Sequence, residues 1–427
     1  MKKVVSEVFA TKMVDFALRF GTGVLITRAL GPTDKGVFTF ASLVVNLAVL
    51  FGNFSFMDAN IYFMGSRQYS LEQATTTSIF AGFVSGLAYA VILFVLVFLR
   101  LVKWPVGNAA AFFLLLTTIP FNLVLNNCGS VIQGLSRFRA YNVFTVLRSV
   151  IFIPAVLLAL VLSKNRLIGI CMALVATNLI NAIGISWYLM TRCEQRPRIS
   201  GAYLKAALGY GVRSHLRLVL SQFSIQFDQF MLGILMTASD LGCYSVAASL
   251  REGLLLLPES ISVVLFPRVA GDQASAAGTA ARASRITLVA ILVAAAGLAL
   301  VAHPLIRLVY GRAFLPAVRP LYFLLIASVF RSLSRILLNY IYGMGRPQLS
   351  IWSTGGATCV GLILVYPMIK MYGMVGAAIT SALATGTGAF IDLMIARRLS
   401  SLPVSKFIVP ESSDVQTVTR GNLLPWK

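Results

Sequence analysis

The sequence predicts an all-α, polytopic membrane protein with about twelve transmembrane helices, and three observations support this. First, 58% of the 427 residues are hydrophobic and only 12% are charged, whereas soluble domains carry about 25% charged residues. Second, apolar runs of about twenty residues or more, the length that spans a bilayer, recur along the whole chain. Third, a faint internal repeat divides these runs into two halves.

The predicted spans are separated by short polar or glycine- and proline-containing connections. They cover residues 8–30, 36–63, 76–101, 108–132, 140–163, 167–190, 205–236, 241–268, 285–310, 314–342, 349–369 and 373–396. The longest polar interlude, residues 191–205, lies near the middle of the chain. We therefore predict an N-terminal six-helix lobe over 1–198, a C-terminal six-helix lobe over 199–398, and a loosely ordered cytoplasmic tail over 399–427.

The repeat is visible in two short motifs. After the first span the chain reads Thr33-Asp34-Lys35-Gly36-Val37-Phe38, and after the seventh it reads Ser239-Asp240-Leu241-Gly242-Cys243-Tyr244, at an offset of 206 residues. Gly134 and Arg137 are matched by Gly343 and Arg346 at an offset of 209. Six spans per half is an even number, so the halves share one orientation and form a parallel repeat. Such repeats usually hold substrate where the halves meet.

The formal net charge of +22 arises from 36 Lys and Arg against 14 Asp and Glu. No basic domain stands apart from the spans, so we expect no nucleic-acid partner. Most loop charges fit attraction to anionic lipid headgroups and the positive-inside rule. With the N-terminus inside, and without counting the tail over 399–427, fifteen basic residues fall on the cytoplasmic side and nine on the other. This bias predicts a multi-pass protein of the cytoplasmic (inner) membrane with both termini in the cytoplasm.

Several predicted spans carry charged residues on one helical face. In span seven Arg213, Arg217 and Asp228 share a stripe about 80° wide, with His215 on the opposite side. Lipid is a costly neighbour for such groups, by roughly 3 kcal/mol per charge, so this helix is expected to line a polar cavity inside a bundle. The other charged faces belong to span one and span ten, and they contain Lys12, Asp15, Arg19, Arg331 and Arg335.

These charges predict a cavity, open to the cytoplasm, that binds an anionic group. Guanidinium groups form paired hydrogen bonds with phosphate or carboxylate. The candidate substrate-binding residues are Arg19, Arg217, Arg331, Arg335, Lys12, Arg213 and Arg148. Two structural alternatives stay open. Lys12, Arg213 and Arg148 are candidates for snorkelling to headgroups, and Asp15 with Arg19, or Asp228 with a basic neighbour, are candidates for structural ion pairs.

No constellation typical of an enzyme occurs in the sequence. Nucleotide-binding motifs and catalytic clusters in large loops are absent, and the five cysteines lack metal-ligand spacing. We therefore predict a protein that is not an enzyme and has no cofactor and no metal site. Transport would then be driven by an H⁺ or Na⁺ gradient or by the gradient of the substrate itself. Asp15 and Asp228 are the candidate ion-coupling residues.

The motif regions resemble a known family. The segment from Phe20-Gly21 through Arg28-Ala29-Leu30-Gly31-Pro32 to Gly36-Val37-Phe38 resembles the first-span signature of bacterial polysaccharide transporters, the O-antigen flippases of Wzx type. The segments Asp228–Gly233 and Asp240–Ala247 look like its counterpart in the second half, and Leu265-Phe266-Pro267-Arg268 is similar to the family's ending of span eight. These transporters belong with multidrug exporters and the lipid II flippase in the multidrug/oligosaccharidyl-lipid/polysaccharide exporter superfamily.

The resemblance implies two six-helix lobes around a central cavity. It also implies that an undecaprenyl-pyrophosphate-linked oligosaccharide, such as an O-antigen repeat unit for lipopolysaccharide, is flipped to the periplasmic leaflet by alternating access. A polysaccharide polymerase is then a candidate partner.

Other functions remain open at this point. One is an ion-coupled multidrug or cation antiporter of the related exporter class, although such a cavity should be dominated by carboxylates. Another is a lipid II flippase, which the shorter chain disfavours because those proteins usually carry two further spans. The last is a membrane-embedded scaffold or synthase subunit, which large loops would favour.

Overall fold

The computed structural model describes residues 2–101, 108–194, 198–271 and 275–411, and over these ranges it confirms an all-α chain. At some helical positions, including Arg213 and Arg217, only the backbone is described. The helices are α1 (Lys2–Asn53), α2 (Phe56–Gly65), α3 (Leu71–Phe98), α4 (Ala109–Leu116), α5 (Thr118–Gly134), α6 (Phe138–Leu162), α7 (Arg166–Met190), α8 (Gly201–Leu235), α9 (Ala238–Gly271), α10 (Ala276–Val309), α11 (Val318–Gly343), α12 (Ser350–Ser400) and α13 (Ser405–Ile408).

Within these ranges, eight helical segments are long and apolar enough to cross a membrane. Two of them, Thr11–Asn53 with 43 residues and Pro347–Ser400 with 54, are about twice the length that a bilayer needs. Pro347–Ser400 contains two predicted spans, and Thr11–Asn53 contains most of span one and the first part of span two. Each segment bends at a glycine with positive φ, Gly31 at 71° and Gly373 at 57°. Glycine adopts this left-handed region without the steric cost that a β-carbon imposes. The two helical parts of each segment are therefore joined directly at a kink, without a separate loop.

Two predicted spans are interrupted in the structure. The span predicted over 36–63 breaks at Phe54 and Ser55, where φ is 47° and 53°, before α2 begins. The side chain of Asn53 stabilises this break, because its Nδ2 donates to Asn127 Oδ1 at 3.0 Å. The span predicted over 108–132 divides into α4 and α5 at Thr117. Pro120 lacks the N–H that would continue the helical hydrogen-bond ladder there.

The chain forms two compact units. The first comprises Met1–Phe223 with Thr237–Gly242, and the second comprises Ser224–Met236 with Cys243–Lys427. The units thus divide within α8 and again within α9. The predicted lobe boundary at 198/199 falls before this division and stays a prediction.

A buried hydrogen-bond network around Asn60 connects helices of the first unit. Asn60 Nδ2 donates to Ser78 Oγ at 3.0 Å, to the Asn127 carbonyl at 3.0 Å and to Ser130 Oγ at 2.9 Å. Its Oδ1 accepts from the hydroxyl of Tyr203 at 2.6 Å. These residues lie on α2, α3, α5 and α8, so a single side chain connects four helices. Buried polar groups of this kind are stable only when they are hydrogen-bonded.

The start of the second repeat motif lies against the chain next to the first repeat motif inside the first unit. A β-carbon built on Gly242 would stand 2.0 Å from the Pro32 carbonyl oxygen, so no residue larger than glycine fits between these backbones. The start of α9 is capped by Thr237 and Asp240, since Thr237 Oγ1 donates to Asp240 Oδ2 at 2.7 Å. The backbone N–H of Asp240 donates back to Thr237 Oγ1 at 3.2 Å. Asp240 of the repeat motif is therefore a helix-capping residue.

The second unit has a core built from α9 to α13. Phe407 of α13 is fully buried among apolar residues from the four longer helices, including Leu265, Leu337 and Leu393. Arg285 of α10 donates to the Lys406 carbonyl at 2.7 Å. The prediction of a loosely ordered tail is therefore wrong up to Glu411. The cause is an aromatic anchor, Phe407, that short polar flanks obscure in the sequence. Residues 412–427 lie outside the described part.

Candidate functional site

The first unit brings three of the predicted site residues together, which we call the N-terminal cluster: Asp15, Arg19 and Arg148. Arg19 forms a salt bridge with Asp15 at 2.5 Å one turn along α1. Ser149 donates to the other oxygen of Asp15 at 2.6 Å. Asp15 is buried, whereas the side chain of Arg19 is 69% exposed. The ion pair thus engages one nitrogen of the Arg19 guanidinium and leaves much of the side chain accessible.

Arg148 completes the N-terminal cluster from α6. It donates to Asn122 Oδ1 at 2.8 Å and interacts electrostatically with both Arg19 and Asp15. Two guanidinium groups therefore share one carboxylate. The like charges repel each other, so an added anion would find an attractive field here.

The second unit contains a related arrangement, the C-terminal cluster: Asp228, Tyr244, Arg251 and Arg331. Tyr244 donates its hydroxyl to Asp228 Oδ2 at 2.6 Å, and Arg251 approaches the same oxygen at 4.0 Å. The backbone N–H of Gln229 donates to Asp228 Oδ1 at 2.8 Å. Asp228, Tyr244 and Arg251 are all buried. Arg251 Nε is also buried and has no hydrogen-bond acceptor among the described residues.

Arg331 adds a second guanidinium to this cluster. It is half-buried on α11 and interacts electrostatically with Arg251 and Arg335, which repel it, and with Asp228 and Glu252, which attract it. Three arginines thus face two carboxylates, a formal charge of +1. Arg335 is exposed on the same helix. The described residues of this unit therefore provide cationic groups that their own carboxylates do not neutralise.

The other predicted site residues are not placed in either cluster. Lys12 is exposed on α1. The side chains of Arg213 and Arg217 lie outside the described residues, although the backbone of both is helical within α8. His215, on the opposite side of α8, lies with its Nδ1 3.3 Å from Ser55 Oγ. The substrate-binding role predicted for Lys12, Arg213 and Arg217 stays a prediction.

Sequence reasoning missed the role of Tyr244 and Arg251 as partners of Asp228. The spacing of the sequence does indicate that Asp228 and Tyr244 lie close together. Asp228 and Tyr244 lie at nearly equal distances from the α8–α9 turn at Thr237, so an antiparallel helix pair places them at the same height. The predicted ion-pair alternative for Asp228 did require a basic neighbour, and Arg251 is that neighbour.

Comparison with known proteins places these features in a family. A family model described as "polysaccharide biosynthesis protein" matches residues 25–319, which is more than half of the chain. The chain belongs to the polysaccharide biosynthesis protein family. The resemblance drawn from the span-one and span-seven motifs is thereby confirmed, and the matched residues include the span-seven motif and most of the span-one motif.

One curated relative of this family member comes from Haloferax volcanii. It is described as a probable low-salt glycan biosynthesis flippase, Agl15, and is 21% identical over 230 residues. The alignment covers 53% of this chain and 48% of the relative, so the chain spans about half the length of the curated relative that it matches.

Two solved structures have a fold similar to that of this protein. The lipid II flippase MurJ, in an inward closed conformation, aligns with a TM-score of 0.78 at 13% identity over 97% of each chain. A multidrug resistance MATE family transporter of the MOP superfamily, in an inward-facing conformation, aligns with a TM-score of 0.71 at 15% identity over 91% of this chain and 94% of its own. These likenesses confirm a polytopic helical membrane fold. They also remove the length argument against a lipid II flippase, because that alignment spans nearly the whole of both chains.

Proposed function

We propose that this protein is a flippase that moves an undecaprenyl-pyrophosphate-linked oligosaccharide across the cytoplasmic membrane by alternating access. The C-terminal cluster and the neighbouring Arg335 and Glu252 carry the proposal, because together they contain three arginines and two carboxylates in a polysaccharide biosynthesis protein. A pyrophosphate group is the part of such a cargo that needs cationic partners. Guanidinium groups bind phosphate oxygens through paired, charge-assisted hydrogen bonds.

The geometry of the cluster suggests which residue would have which role in binding the pyrophosphate. Asp228 and Tyr244 fix Arg251 in a buried position, while Arg251 Nε keeps an unused donor. Arg331 is half-buried and is repelled by Arg251 and Arg335. An incoming pyrophosphate would replace this repulsion with attraction, so binding would be strongest where the arginines converge. Arg19 and Arg148 would offer a separate cationic contact for an anion in the first unit.

The parallel repeat and the likeness to transporter folds support alternating access as the mechanism. The proposal keeps the orientation expected from the loop charges, with both termini in the cytoplasm of the inner membrane. A polysaccharide polymerase is the proposed acceptor of the flipped unit, and H⁺ or Na⁺ is the proposed coupling ion. The repeat unit of O-antigen or another surface polysaccharide is the proposed cargo.

Deletion of the gene in its host tests the function. We expect surface polysaccharide to disappear and undecaprenyl-linked repeat units to accumulate on the cytoplasmic leaflet. Arg331→Ala should reproduce this loss at normal protein abundance, and Arg331→Lys should restore only part of it, because a single ammonium cannot make paired contacts. Arg319→Ala, in the exposed first turn of the same helix, is the matched control and should export normally.

The same experiment distinguishes the competing functions. Unchanged surface polysaccharide with increased sensitivity to cationic drugs would overturn the proposal in favour of an antiporter. Loss of cell-wall synthesis with lipid II accumulating would instead identify a lipid II flippase. In either case the sugar composition of the lipid-linked pool names the cargo or excludes it.

A further inference from the structure

A second buried carboxyl group in the second unit is not explained by substrate binding. Asp392 lies in the second half of α12 and is fully buried. Its apolar neighbours Ala389, Leu393 and Ala396 are buried as well. Ser334 of α11 donates to Asp392 Oδ2 at 2.5 Å, while Asp392 Oδ1 has no hydrogen-bond partner among the described residues.

This environment differs from that of the other two aspartates that are buried among the described residues. Asp15 has Arg19 as its cationic partner, and Asp228 has Arg251. The described groups that act on the Asp392 carboxyl are the hydroxyls of Ser334 and Ser353, and neither is charged. The Ser353 hydroxyl already donates its proton to the Ser350 carbonyl at 3.1 Å. It is therefore better placed to accept a hydrogen bond from a protonated carboxyl than to donate one.

The charged groups on the elements around Asp392 are directed elsewhere. On α11, Arg331 interacts with the C-terminal cluster and Arg335 is exposed. On α10, Arg285 is bound to Lys406 and Glu411 of the C-terminal segment. Arg397 and Arg398 of α12 are exposed, Arg282 of α10 is half-buried, and Lys406 pairs with Glu411.

An ionised carboxylate in an apolar interior is strongly destabilised unless a cation accompanies it. A hard metal cation is held by several oxygen ligands, and the described residues place only two hydroxyls beside Asp392. No group of three or more His, Cys, Asp or Glu side chains suited to a metal ion occurs among the residues described. A proton needs a single acceptor, and the free Oδ1 provides it.

We propose that Asp392 binds and releases the proton that drives transport, in place of Asp15 and Asp228. This inference rests on the proposed flippase function. Ser334 links the carboxyl to α11, the helix that carries Arg331 and Arg335, so gain and loss of the proton would change the hydrogen bond that joins α12 to this helix. A change in that bond would couple proton binding to the position of the arginine-bearing helix.

Infrared difference spectroscopy of the purified full-length protein, recorded across a pH titration in phosphatidylethanolamine–phosphatidylglycerol vesicles, tests proton binding without any substrate. We expect a protonated-carboxyl C=O band in the wild type that is lost in Asp392→Asn. The band should shift in Ser334→Ala, which lacks the hydrogen bond. Ser332→Ala is the matched control, because Ser332 donates to the Ser328 carbonyl within α11. A band that survives in Asp392→Asn would overturn the inference.

Surface polysaccharide in the deletion host provides the second measurement. Export by the wild type should stop when an uncoupler collapses the proton gradient, and Asp392→Asn should lose export at normal protein abundance. If the band depends on Asp392 but Asp392→Asn still exports normally, the carboxyl is structural and the coupling role is wrong. If the gene deletion itself leaves polysaccharide unchanged, the flippase function fails while the infrared result keeps its meaning.

Discussion

A β-carbon on Gly36 would lie 1.7 Å from the carbonyl oxygen of Ala238. The repeat relates this contact to the one between Gly242 and Pro32, since Gly36 and Gly242, like Pro32 and Ala238, are 206 residues apart. The two motifs therefore contact each other reciprocally, as identical patches do in a two-fold dimer. This reciprocity supports duplication independently of the sequence similarity that first suggested it.

Alanine at either glycine of this contact should destabilise the protein. The added carbon would collide with backbone, which cannot move aside as a flexible side chain can, so we expect a cost of at least about 1–3 kcal/mol. The unfolding temperature of the purified protein in detergent should fall for Gly36→Ala and Gly242→Ala. Gly297→Ala is the control, because the space beside Gly297 is open. Wild-type stability in both motif variants would contradict the contact.

Arg251→Met should be among the most destabilising single changes in the second unit. It would leave the Asp228 carboxylate buried without its cation, which typically costs about 3–5 kcal/mol. Adding Asp228→Asn to Arg251→Met should restore much of the loss, because the uncompensated charge is removed. Arg335→Met changes an exposed arginine and should leave the unfolding temperature nearly unchanged. Additive effects of Arg251→Met and Asp228→Asn would argue that the two groups do not interact.

Asn60→Ala should lower the unfolding temperature more than Tyr203→Phe does. The alanine variant removes hydrogen bonds to Ser78, Asn127, Ser130 and Tyr203, whereas the phenylalanine variant removes one. Each buried polar group left unpaired costs about 1–3 kcal/mol. Thermal unfolding in detergent ranks the two variants. Equal decreases in unfolding temperature would show that the hydrogen bond to Tyr203 accounts for the whole effect of the network around Asn60.

Single cysteines at two exposed connections should report the orientation of the chain. In a cysteine-free background, Arg346→Cys, between α11 and α12, should react with a membrane-impermeant thiol reagent only from the cytoplasmic side. Arg312→Cys, in the turn Arg312–Ala317 before α11, should react only from outside the cytoplasm. Permeabilised cells, in which both sites should react, are the control. The reverse pattern would place both termini outside the cytoplasm.

Much of the fold was predictable because membrane spans depend on length and apolarity, which the sequence displays directly. The kinks at Gly31 and Gly373 were not, since they join spans that composition alone separates into different helices. The break at Phe54 and Ser55 was also hidden. It depends on a hydrogen bond from Asn53 to Asn127, a residue 74 positions away.

The candidate site was predictable in part for the same reason. Helical periodicity identified Asp15, Arg19 and Arg331 because residues on one face of a helix repeat at fixed intervals. Periodicity within one helix does not identify partners on another helix, so Ser149, Tyr244 and the serines around Asp392 were missed. Whether a buried acid has a cationic partner is a tertiary property, and it separates Asp392 from Asp15 and Asp228.

The burial of Phe407 affects how the second unit is made. This ring fills the core between helices that precede it in the chain, so it is synthesised only after all of them. The second unit therefore completes its packing only after α13 has been synthesised and reaches α10. A message truncated just after α12 would encode every membrane helix described here and still leave a cavity where Phe407 belongs, a defect that quality-control proteases can recognise.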